Sequence, residues 1–98
     1  MITYTIGGKP VAEKIFSERI STVANVKDYR LEQLSRDSYR IMILPGDKKD
    51  TRSIKGSVLD SLVDIYGIKG RFEIDIITED SALLPVVKNF SDRIKFLN

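Results

Sequence analysis

The order in which hydrophobic periods follow one another along this chain leaves few folds open to it. Apolar residues alternate with polar ones over short runs, then recur every three to four positions, then alternate again, with turn formers at each change. Ile2-Thr3-Tyr4-Thr5-Ile6 is rich in β-formers, and Gly7-Gly8 follows as a hairpin signal because both positions tolerate positive φ. Lys9-Pro10-Val11 returns as a very short second strand, or Pro10 opens the next helix at its first position. Ala12, Ile15, Phe16, Ile20 and Val23 then form one stripe of an amphipathic helix, with Glu13, Lys14, Glu18 and Arg19 on the wet side. Asn25 suits the end of that helix.

Tyr29 and Leu31 alternate with Asp28, Arg30 and Glu32, the pattern of a half-buried strand. Ser35-Arg36-Asp37-Ser38 is a turn, and Tyr39, Ile41 and Ile43 continue the alternation as an antiparallel partner. Pro45-Gly46-Asp47 breaks the strand. Asp50 or Thr51 can cap a second helix whose buried stripe is Ile54, Val58, Leu62, Ile65 and Tyr66, widened by Leu59 and Val63. Gly67 is placed to end it. Phe72, Ile74 and Ile76 make the last clear strand, and Ile94-Lys95-Phe96 adds a short edge strand.

These elements predict one α+β domain over residues 1–98. It is a two-layer sandwich in a ferredoxin-like arrangement, preceded by a short N-terminal hairpin. Helices over about Ala12 to Ala24 and Thr51 to Tyr66 cover one face of a mostly antiparallel sheet. The expected core is Ile15, Phe16, Ile20, Tyr29, Leu31, Tyr39, Ile41, Ile43, Val58, Leu62, Phe72, Ile74 and Ile76. Such a core is scaffold, which directs the search for chemistry to the tail beyond Asp80.

Composition narrows that chemistry. With 98 residues, 42% of them hydrophobic and 31% charged, the chain has the make-up of an ordinary globular domain. It contains no Cys, which removes disulfides, thiolate zinc sites and cysteine nucleophiles. It contains no His, which removes the commonest general base and any Ser-His-Asp relay. A net charge of +2 does not by itself call for nucleic acid or membrane as a partner. No apolar run approaches the roughly 20 residues of a membrane span, and no signal-peptide pattern opens the sequence, so a cytoplasmic location is expected.

Three groups of residues invite a functional reading. Gly7-Gly8-Lys9 could cradle an anion with glycine amides and an ammonium, and these three are the candidate cofactor-binding residues. The spacing is not that of a Walker loop, and Pro10 removes a donor, so a plain hairpin turn competes with that reading. The outward strand positions Arg30, Glu32, Arg40, Glu73 and Asp75 could include a carboxylate pair or a weak cation site. The competing reading is a solvated sheet face laced with charge pairs, and no metal site is expected. Lys88, beyond Leu83-Leu84-Pro85-Val86-Val87, is the candidate catalytic residue, a point charge for a carboxylate or phosphate. RNA binding is not expected, because Tyr29, Tyr39 and Phe72 share the period of the core and only Tyr4 is placed to be open.

From Gly7 to about Asp80 the chain resembles the C-terminal domain of the adenylate-forming enzymes, in the branch of phenylacetate–CoA ligase and the CapK-like proteins. The resemblance rests on the Gly7-Gly8-Lys9 hairpin, Ile15-Phe16 on the following helix, and Val26-Lys27-Asp28-Tyr29-Arg30-Leu31. Tyr39 to Pro45, Thr51 to Tyr66 and Arg71 to Asp80 continue it in order. The helix-entry Pro is displaced to Pro10, and of the family's closing Lys segment only Pro85 and Lys88 remain. The resemblance implies a lid domain that acts in cis with a large N-terminal adenylation domain. Lys88 would then stand for the adenylation Lys, and ATP with Mg and coenzyme A would be cofactors of the parent ligase. The isolated chain would bind none of them and turn over nothing. The alternative expectation is a stand-alone ferredoxin-like module for a small ligand or protein, without catalysis.

Overall fold

The computed structural model describes residues 2–47, 51–77 and 94–96, and runs β1 (Ile2–Tyr4), β2 (Pro10–Ala12), α1 (Glu13–Ile20), β3 (Val26–Ser35), β4 (Ser38–Pro45), α2 (Thr51–Tyr66), β5 (Arg71–Ile76) and β6 (Ile94–Phe96). The β-rich opening and Gly7-Gly8 do make a hairpin: β1 and β2 pair antiparallel, with Thr3 opposite Val11. Pro10 faces Tyr4, a position where a missing N–H costs nothing because Tyr4 turns its own polar groups elsewhere. Gly8 takes the positive φ of 89° that the turn requires.

The other four strands form one sheet in the order β5-β4-β3-β6. Its centre is the antiparallel β3–β4 pair, from Val26 opposite Pro45 to Ser35 opposite Ser38. The expectation of a mostly antiparallel sheet needs correction here, because both flanking pairs, β4–β5 and β3–β6, are parallel. A tight turn can only reverse the chain, as it does between β3 and β4. The α2 crossover instead returns it to the starting end of β4, so β5 runs the same way. The two-layer α+β arrangement itself is as expected.

Both helices pack on one face. Phe16 and Ile20 from α1, and Ile54, Val58, Leu62 and Tyr66 from α2, are buried over Tyr29, Leu31, Tyr39, Ile41 and Ile43. Phe72, Ile74 and Ile76 of β5 are partly buried against this cluster. Two helix expectations change. α1 stops at Ile20, because the Ser21 and Thr22 hydroxyls bond the carbonyls of Glu18 and Arg19, and Asn25 then adopts a φ of 69°. Ala12 therefore belongs to β2, and Ile15, expected in the core, is 53% exposed. In α2 the bounds agree, although Leu59 lies outside the buried stripe. Gly67 ends α2 at a φ of 119°, where a Cβ would sit 3.0 Å from Ile6. The Ile6 N–H meets the Tyr66 carbonyl at 3.0 Å, so the N-terminal hairpin supplies part of the helix's C-terminal cap.

Two substitutions in α2 check this packing in opposite directions. Leu62 is fully buried, so Leu62→Ala is expected to cost about 2–5 kcal/mol in denaturant unfolding. Gly56 is exposed in mid-helix with nothing within 4 Å of an added Cβ, so Gly56→Ala is expected to stabilise by about 0.5–1 kcal/mol.

Candidate functional site

The Gly7-Gly8-Lys9 turn is closed by its own backbone. Gly8 donates to the Thr5 carbonyl at 2.9 Å, Thr5 donates to the Lys9 carbonyl at 2.8 Å, and the Lys9 amide donates to Thr5 Oγ1 at 3.0 Å. The Gly8 and Lys9 amides are thus spent inside the turn, which is the geometry of a hairpin and not of a backbone cradle for phosphate. What the turn offers outward is the exposed Lys9 side chain. Lys88 lies outside the described residues, as do Pro85 and the segment between them.

On the sheet face away from the helices, the five charged positions do come together. Glu32, Arg40 and Glu73 stand opposite one another across β3, β4 and β5, a row of alternating sign. Arg30 Nη2 lies 3.1 Å from Glu32 Oε2, and Arg40 Nε donates to Asp75 Oδ2 at 2.8 Å. That second bond holds the Arg40 guanidinium above its usual pKa. Asp75 is therefore engaged by a cation, and among the described residues no group of three or more His, Cys, Asp or Glu converges as a metal site. The expected charge pairs are present, while the expected solvation holds only towards β5: Glu73 is exposed and Arg40 and Asp75 are half-buried, whereas Arg30 and Glu32 are 4% and 8% exposed, with Met42, Leu44 and Ile77 also buried. Strand alternation identifies a face but does not say whether that face is wet.

The helix-side core carries a polar seam that periodicity did not suggest. Thr3 Oγ1 and the Tyr66 hydroxyl are 2.7 Å apart, and the Tyr39 hydroxyl donates to the Tyr4 carbonyl at 2.6 Å. Gln33, fully buried, accepts from the Tyr4 N–H at 2.8 Å and donates to the Tyr4 carbonyl at 3.1 Å. The rings of Tyr39 and Tyr66 meet at a tilt of 35° with centroids 4.5 Å apart, and Phe72 stacks on Tyr39 at 5.3 Å. Gln33 could have been found from the sequence, since it follows Tyr29 and Leu31 at the same two-residue spacing.

Two open clefts border α1. One of about 330 Å³ is lined by Ser17, Ile20, Ser21, Lys27 and Tyr29, with Ser17 Oγ and the Tyr29 hydroxyl 2.9 Å apart. The other, of about 360 Å³, lies between α1 and α2 beside Arg19, Ser57 and Asp60. No helix among the described residues is long and apolar enough to cross a membrane. Comparison with protein-family models, curated proteins and solved structures finds no match to this chain.

The buried phenols set the alkaline limit of the fold. Burial, reinforced by the Asp37 charge, pushes Tyr39 up to about 12, and burial also pushes Tyr66 up to about 12 against the lowering bond from Thr3. Both are neutral at physiological pH and do not serve as bases. A phenol raised in the folded state contributes stability that is complete below pH 10 and is lost as pH rises towards 12. Alkaline titration should therefore show tyrosinate absorbance from these two appearing together with loss of near-ultraviolet dichroism. Ionisation with the dichroism intact would contradict their burial.

Proposed function

We propose that this chain is the C-terminal lid domain of an adenylate-forming ligase of the phenylacetate–CoA ligase and CapK-like branch. The observation that carries the reading is the element order. A hairpin with Gly-x-Lys at its tip runs straight into a helix, then an antiparallel strand pair, a second helix and a further strand that ends at Ile76. In that setting the partner is the large adenylation domain in cis, and ATP with Mg and coenzyme A belong to the parent enzyme. The location is cytoplasmic, with neither nucleic acid nor membrane as partner. The lid contributes charge and coverage. Lys9 at the hairpin tip is a second cation the lid presents, through its side chain alone.

Lys88 has the central role in this reading. Its ammonium would stabilise charge building on the carboxylate and the α-phosphate during activation, an effect commonly worth about 2.7–4 kcal/mol in a water-excluded site. The expected result of Lys88→Ala, made in the polypeptide that carries both domains, is a loss of roughly a hundred- to a thousand-fold in acid-dependent pyrophosphate exchange. A loss below about threefold at unchanged stability would mean that Lys88 is not the activating cation.

The two clefts favour a second reading, a stand-alone ferredoxin-like module that binds a small ligand or a protein and performs no chemistry. Mass spectrometry of the native polypeptide carrying this sequence separates the two. Several hundred residues N-terminal to Met1 support the lid, and their absence supports the module.

A further inference from the structure

Tyr4 is held in an unusual way for a strand residue. Its N–H and C=O face away from β2, towards a side chain that reproduces what a neighbouring strand would offer. Gln33 Oε1 accepts from the Tyr4 N–H at 2.8 Å, and Nε2 donates to the Tyr4 carbonyl at 3.1 Å. Only one orientation of the amide satisfies both bonds. The Tyr39 hydroxyl adds a 2.6 Å bond to the same carbonyl and lies 3.3 Å from Nε2, so three polar groups close on one peptide. The apolar anchorage of the hairpin is slight by comparison. Val11 is its one buried apolar side chain in the core, with Ile6 partly buried, whereas α2 places four side chains there. Its outward positions Ile2, Tyr4, Pro10 and Ala12 are exposed.

We infer that the hairpin from Ile2 to Ala12 is a strap that opens as one unit while the main sheet stays closed, and that the Gln33 amide is its latch. Segments with little buried apolar area open below the free energy of global unfolding. Here the opening is two-valued, because a primary amide either brackets the Tyr4 peptide or leaves its N–H and C=O without their buried partners. Release carries the Gly7-Gly8-Lys9 tip away, frees the Tyr66 carbonyl from Ile6, and breaks the Thr3–Tyr66 bond. The strap thereby couples the position of the tip to the end of α2. This inference does not depend on the ligase reading.

The test is amide hydrogen exchange of the full 98-residue chain, followed by NMR. In the unmodified protein Tyr4 and Ile6, whose amides bond across the strap boundary, should exchange faster than Leu31 and Ile41. Gln33→Leu keeps the apolar bulk and removes both bonds, so strap exchange should rise about tenfold or more while Leu31 and Ile41 stay within about twofold. Tyr39→Phe, which keeps the ring and removes one donor, should give a smaller rise at the same amides, and it decides the matter if Gln33→Leu does not fold. The rises in the double variant should fall short of their product, because both groups act on one carbonyl. Equal acceleration of strap and sheet amides, or no change at Ile6, would overturn the inference.

Discussion

The antiparallel register between β3 and β4 is the constraint on which the remainder of the molecule rests. It aligns Tyr29, Leu31 and Gln33 with Ile43, Ile41 and Tyr39 on one face, and Arg30 and Glu32 with Met42 and Arg40 on the other. Each neighbour then attaches to a position this register has prepared. α1 meets Tyr29 through Phe16, edge to face at 5.6 Å, α2 meets Tyr39 through Tyr66, and the N-terminal hairpin meets Gln33. β5 continues outward from β4, and β6 from β3. A slip of one residue in either strand would bring its charged positions under the helices and turn its apolar side chains away from them. Both alternatives bury charge without a partner, so the register is strongly specified.

How much of this is legible in the sequence depends on what each signal measures. α2 is bounded correctly at its C-terminal end because Gly67 states that end in local chemistry. α1 is overestimated because apolar spacing persists through Val23, while Ser21 and Thr22 have already turned their hydroxyls on the preceding carbonyls. β3 extends to Val26 and Ser35, past the clearest alternation, since pairing with β4 sustains its polar ends. Strand direction is invisible to a two-residue period, which reads the same forwards and backwards, so the parallel pairing of β5 and β6 emerges only from the structure. For the candidate site, the Gly7-Gly8-Lys9 turn is found where expected and Lys88 falls outside the described residues. The fold constrains one candidate and says nothing about the other.

The side-chain amides show how a small domain terminates strands without adding more strands. Asn25 repeats the Gln33 arrangement at the other end of β3. Its Oδ1 accepts from the Asp47 N–H and its Nδ2 donates to the Asp47 carbonyl at 2.7 Å. In both places a primary amide substitutes for a stretch of backbone and satisfies a donor and an acceptor together. Neither an acid nor an apolar residue of equal size can do both. These are scaffold functions, and they differ in kind from the chemistry proposed for the tail, since a fold fixes positions without fixing a reaction.

The parallel contact between β3 and β6 also has a consequence for how the chain is made. Leu31 pairs with Ile94, so one edge of the central strand waits for a segment synthesised long after its other neighbour β4 is in place. A ribosome adding about 5–20 residues per second leaves that edge uncovered for seconds while the rest of the sheet can already form. An uncovered strand edge is a template for other nascent chains. The charged pair Arg30 and Glu32 sits along this strand, on the face away from the helices. Charge along an unpaired strand opposes pairing of that kind, so this pair bears on the unfinished edge as well as on the finished sheet face.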